Sequence, residues 1–124
     1  MVSIICDKGQ REAILNWMLA KDEEMFADVD RCGFDPKANG HPGIFTFLVS
    51  EEGLTADSGR DEFFYTGHTM CWELKQFYVS LKKAFPEIGF SGTVSVIDKY
   101  PEAFYVESKP GKKKINITEL DPWD

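Results

Sequence analysis

The sequence predicts an α+β domain: an antiparallel sheet of five to six strands with two helices on one face, in the ferredoxin-like order with a C-terminal β-hairpin extension. Three observations carry that expectation. Residues 70–85 repeat large apolar groups at helical spacing. Residues 90–96 alternate apolar and small polar groups at strand spacing. Residues 103–107 and 113–119 add two short apolar stretches, set off by turns that contain Pro and Gly.

The elements follow in chain order. Residues 2–6 are short and apolar and read as an edge or first strand. Asp7 and Gln10 have the spacing of a capping box, so a helix is expected from about residue 8 towards residue 29. Ile14, Leu15, Met18 and Leu19 form its apolar stripe, which Met25, Phe26 and Val29 continue. Asp22, Glu23 and Glu24 interrupt the stripe, and a break near Ala20 is expected there. Trp17 falls at the stripe's edge. Gly33, Pro36, Gly40, Pro42 and Gly43 make residues 30–43 a long loop. Residues 44–50 read as a strand, 51–60 as a polar connection and 62–65 as a further strand.

The second helix is the clearest element. Met70, Leu74, Phe77, Leu81 and Phe85 fall on one side, and Cys71 and Tyr78 widen the stripe. Glu73, Lys75, Gln76, Ser80, Lys82 and Lys83 fill the other side. Thr69 is placed to cap the first turn. Lys82 and Lys83 meet the negative end of the helix dipole. Pro86 stops the helix, because proline disfavours helical geometry in the residue before it. Trp72 and Val79 lie off the stripe, seven residues apart. Beyond Pro86, Phe90, Val94 and Val96 alternate with Ser91, Thr93 and Ser95, and Ile115 and Ile117 share one face of the last strand. Short connections between consecutive strands imply an antiparallel meander. With 124 residues and 43% apolar content, residues 1–124 form a single domain with an adequate core.

The run from Glu73 through Phe85-Pro86 to the Gly-containing strand that follows resembles small ferredoxin-like domains encoded on phages, plasmids and other mobile elements. The resemblance covers residues 62–119. It implies an accessory role exercised through protein contact, and it carries over no catalytic residues.

Composition narrows the function. The net charge is -7, and an acidic chain is repelled by nucleic-acid backbones and anionic lipid. Direct nucleic-acid binding and membrane attachment are therefore not expected. No apolar run is long enough to span a bilayer and no signal peptide is expected. Three cysteines in that context fit reduced thiols and a cytoplasmic protein. Residues 1–62 hold 6 Lys/Arg against 13 Asp/Glu, and residues 63–124 hold 8 against 8, so the whole excess lies in the first half.

Catalytic and metal constellations are weak. His68 and Cys71 are three apart at a helix start, where a thiolate could be stabilised, but no third group orients them, and Cys71 reads as core. Cys6, Cys32, His41, His68 and Cys71 lack the close paired spacing of a zinc site. Asp28, Asp30 and Gly33 match the first, third and sixth positions of a calcium loop, yet Cys32 and Asn39 occupy the fifth and twelfth, where oxygen ligands are required. Lys112, Lys113 and Lys114 read as a cluster that keeps an edge strand soluble. No catalytic residue, metal or cofactor is assigned.

The expectation is a non-enzymatic acidic interaction protein of the inhibitor or immunity type, anti-CRISPR-like in mode. It would bind a basic surface of a nucleic-acid-handling protein such as a nuclease or a CRISPR effector. Trp17, Asp22, Glu23, Glu24, Asp28, Asp30 and Trp72 are its expected contact residues: acids that compete for Lys/Arg, with an aromatic anchor. Two alternatives stay open. One is a small-ligand binder or Cys/His-dependent enzyme near the 30–43 loop, using His41, His68 or Cys71. The other is a self-associating subunit, a homodimer paired through an edge strand or the sheet face.

Overall fold

The computed structural model describes residues 1–26, 29–30, 46–51, 53–57, 64–65, 70–96 and 102–120. The elements are β1 (Val2–Ile5), α1 (Arg11–Phe26), β2 (Val29–Asp30), β3 (Thr46–Ser50), β4 (Gly53–Asp57), β5 (Phe64–Tyr65), α2 (Met70–Ala84), β6 (Gly89–Val96), β7 (Glu102–Ser108) and β8 (Asn116–Leu120). A short 3₁₀ turn, Lys8–Gln10, leads into α1.

Six strands form one antiparallel sheet in the order β3-β4-β1-β6-β7-β8, and β2 pairs with β5 in a separate two-stranded ribbon. With the ribbon set aside, the run β1-α1-β3-β4-α2-β6 and the order β3-β4-β1-β6 are the ferredoxin-like arrangement. The strands β7 and β8 extend the sheet beyond β6, as the hairpin extension requires. β1 is therefore an interior strand, bonded to β4 on one side and β6 on the other.

Register explains the two faces. Ile4 stands opposite Leu54 and Phe90, and Val2 opposite Ala56 and Gly92. Gly92 in turn faces Val106, and Val94 faces Phe104. Side chains alternate across a strand, so these residues share one face, and all of them but Gly92 are buried in the core. The helices supply the other half of that core: Ile14 and Met18 from α1, and Leu74, Phe77, Tyr78 and Leu81 from α2. Phe77 and Tyr78 meet edge to face with centroids 5.1 Å apart, and Tyr78 lies 5.6 Å from Phe90, which ties α2 to β6. The opposite sheet face presents Ser3, Thr55, Ser91, Thr93, Ser95 and Thr118, none of them buried.

Close approach fixes one glycine. A Cβ on Gly92 would fall 2.1 Å from the Met1 carbonyl oxygen and 2.7 Å from Val2 Cα, so only hydrogen fits where β6 passes the start of β1.

Several local expectations are corrected. α1 is continuous through Ala20. Asp7 precedes the 3₁₀ turn but its side chain makes no capping bond; instead the Gln10 N–H donates to the Asp7 carbonyl at 3.0 Å. The polar connection expected at residues 51–60 contains β4, whose Leu54 and Ala56 are core. Phe64–Tyr65 pairs with Val29–Asp30 rather than joining the main sheet. Leu19 is 44% exposed and so leaves the buried stripe of α1. The 30–43 loop, apart from Asp30, and the expected cap Thr69 lie outside the described residues.

Candidate functional site

Topology gives the domain two ends. Call the top the end where β1 finishes. β4 and β6 run antiparallel to β1, so β3 starts at the bottom and β6 at the top. α1 therefore runs from top to bottom and α2 from bottom to top. The C-terminal half of α1 and the N-terminal half of α2 both lie towards the bottom, and the helices run antiparallel. Trp17, midway along α1, fits this: its ring lies 5.8 Å from Phe77 and 6.4 Å from Phe85.

The bottom carries the acidic residues singled out from sequence. Glu23 and Glu24 are exposed on α1, and Glu24 pairs with Lys21 at 3.6 Å, one helical turn back. Trp72 is 49% exposed near the start of α2. Asp57 receives the N-terminal ammonium of Met1 at 3.7 Å. On β8, the far edge strand of the sheet, Glu119 forms an ion pair with Lys75 of α2.

Of the expected contact residues, Asp22 is placed differently and Trp17 lies at the edge of the core. Asp22 is only 2% exposed. It follows Ile14 and Met18 at steps of four, so its position faces the core and is not presented to a partner. Trp17 packs on Phe77 and Phe85 and belongs to the edge of the core. Asp28 lies outside the described residues, and Asp30 is placed by its backbone alone, in β2. His41, His68 and Cys32 also lie outside them, and Cys71 is placed by its backbone only.

The top end is different. A cavity of about 370 Å³ is lined by Cys6, Arg11, Ser50 and Thr55, among others. Arg11 donates from Nη1 to the Ser50 carbonyl at 2.8 Å, pinning the start of α1 to the end of β3. Burial raises the pKa of the Cys6 thiol, with the Arg11 guanidinium pulling the other way. A thiol held above its ordinary pKa carries little thiolate at neutral pH. Among the described residues, no three His, Cys, Asp or Glu side chains group to hold a metal ion.

Lysines dominate the rest of the top. Lys82 is 4% exposed, and its ammonium donates to the Ile88 carbonyl and, at 3.0 Å, to the Lys109 carbonyl. It thereby clamps the end of α2 to the β7–β8 connection. Burial lowers its pKa, with Glu87 nearby opposing the shift. Lys83 and Lys113 line, with Lys82, a cavity of about 310 Å³ whose apolar residues are Val79, Pro86 and Ile115. Lys109, Lys112 and Lys114 line a second hollow with Asn116. The sequence marked these lysines separately, as a helix end and an edge guard. Only the fold brings residues 82–83 and 109–114 together.

Comparison of the chain with protein-family models, with curated proteins and with solved structures found no match. Among the described residues, no helix is long and apolar enough to cross a membrane.

Proposed function

We propose that the chain is a non-enzymatic protein-binding module whose acidic bottom end docks on a basic surface of a nucleic-acid-handling protein, as an inhibitor or immunity-type partner in the cytoplasm. One observation carries this reading: Glu23 and Glu24, both exposed, share an end of the domain with a half-exposed tryptophan, Trp72. Exposed carboxylates steer encounter with Lys/Arg surfaces, and a tryptophan at the same end supplies desolvated contact area. Asp28 and Asp30 continue the acidic run in sequence beyond α1. Asp22 is set aside by its burial, and Trp17, partly buried against Phe77 and Phe85, offers less free surface than Trp72. A nuclease or CRISPR effector fits as target, because its nucleic-acid groove already presents cations arranged for phosphates.

Parallel affinity capture from the native host, with the wild-type chain and with Glu23→Lys/Glu24→Lys, tests the proposal. The expected result is a stoichiometric, basic, nucleic-acid-handling protein recovered by the wild type and lost with the double reversal. Equal recovery by both chains contradicts the role given to these acids. Recovery of no stoichiometric protein contradicts the reading as a whole.

A further inference from the structure

The basic top end has properties that the acidic docking surface does not use. Among the described residues, the ion pairs are Met1–Asp57, Lys21–Glu24 and Lys75–Glu119, and none engages Lys83, Lys109, Lys112, Lys113 or Lys114. On a chain of net charge -7, these five lysines outnumber the carboxylate beside them, Glu87, which lies against Gly111, and make a local excess of positive charge. An edge guard needs the charges that flank the strand; it does not require that they enclose a hollow. Lys83 and Lys113 come from different elements and border one cavity of about 310 Å³, whose remaining walls are Lys82, Val79, Pro86 and Ile115. Val79 is 39% exposed, so the floor is apolar surface open to solvent.

We propose that this cleft, between the end of α2 and the β7–β8 connection, binds a small organic anion: a phosphate or carboxylate head held by Lys83 and Lys113, on a compact apolar body resting against Val79, Pro86 and Ile115. The chemistry of the walls selects both parts. Two mobile ammonium groups at the rim pair with an anionic head at little cost in desolvation. The floor rewards an apolar body, as in most small-molecule pockets, where a few polar groups orient an otherwise apolar ligand. The size, at the lower end of such pockets, admits a small ring system and not a long chain. Lys82 fixes the walls: its ammonium is spent on the Ile88 and Lys109 carbonyls, so it holds the connection in place and lends its charge. The carbonyl end of α2 is electronegative and works against an anion, and the Lys82 ammonium beside it offsets this. The proposal stands on the top end alone and does not depend on the docking role of the bottom.

The test is an amide-detected NMR titration of the full chain with naphthyl phosphate as probe. Inorganic phosphate serves as the head without the body, and naphthol as the body without the head. The expected result is saturable shifts at Val79, Lys83, Lys113 and Ile115, with both controls weaker by about tenfold or more. Lys83→Gln and Lys113→Gln remove exposed charges and leave the Lys82 clamp intact; each is expected to weaken the probe by about tenfold. Val79→Asn is expected to weaken naphthyl phosphate while leaving inorganic phosphate unchanged. Shifts that fail to saturate, an equal response to inorganic phosphate, binding indifferent to both lysine substitutions, or shifts confined to Lys109, Lys112 and Lys114 would each overturn the proposal.

Discussion

α2 holds Leu74, Phe77, Tyr78 and Leu81 at or below 1% exposure, whereas α1 buries Ile14, Met18 and Asp22 and leaves Leu19 at 44%. The two helices are of similar length, 15 and 16 residues, and cover the same sheet. One is built to close the core, and among the described residues its outward side keeps Trp72 and Val79 as large apolar groups. The other spends a core-facing position on an acid and turns Glu23 and Glu24 to solvent. The difference teaches where selection for contact can act. A substitution on α2's stripe is felt by the whole fold, while the outward side of α1 is free to carry charge for a partner.

The comparison breaks most visibly at Phe77. Phe77→Ala is expected to cost about 3–5 kcal/mol, because it removes a fully buried ring and leaves a cavity beneath both helices. Denaturant unfolding measures this, and a loss below about 1 kcal/mol would deny α2 its role as the core helix. Next is the sheet on which both helices rest. Gly92→Ala puts a methyl group 2.1 Å from the Met1 carbonyl oxygen, and the forced separation of β1 and β6 is expected to cost about 1–3 kcal/mol.

Tyr78 sharpens the comparison through pH. Its hydroxyl is buried and finds no hydrogen-bond partner among the described residues. Burial is the main cause of its raised pKa, with Asp57 adding to it. The folded chain therefore keeps this proton at a pH where the unfolded chain releases it. The contribution to stability is fully present below the unfolded tyrosine value of about 10 and is lost as pH rises above it. Tyr78→Phe removes an unsatisfied polar atom and is expected to be neutral or stabilising by about 1 kcal/mol at neutral pH. The variant should also lose less stability than the wild type between neutral and strongly alkaline pH, as read from denaturant midpoints. The smallest effect belongs to α1: Leu19→Ala, at an exposed site, is expected to change stability by less than about 0.5 kcal/mol.

The legible parts of the fold were those in which pattern and burial agree. Five large groups at helical spacing before Pro86 give α2, and the alternation from Phe90 to Val96 gives β6 and its buried face. β4 was hidden because its inward residues are only Leu54 and Ala56, set among Glu51, Glu52 and Asp57, so composition outweighed a two-step alternation. Charge argues for an exposed Asp22, but its step of four from Met18 points inward, and the inward placement wins. At the candidate sites, the acids of α1 were legible as local charge. The lysine cleft was not, since Lys83 and Lys113 are thirty residues apart and meet only through the pairing of β6, β7 and β8.

The two ends of the domain are proposed to have separate tasks. Once the host partner is in hand, the decisive measurement is its Kd across a salt series for the wild type, Glu23→Lys/Glu24→Lys and Lys83→Gln/Lys113→Gln. The prediction is a loss of about tenfold or more with a flattened salt dependence for the glutamate pair, and an unchanged Kd for the lysine pair. Equal affinity of the glutamate double variant and the wild type at every salt concentration would contradict it.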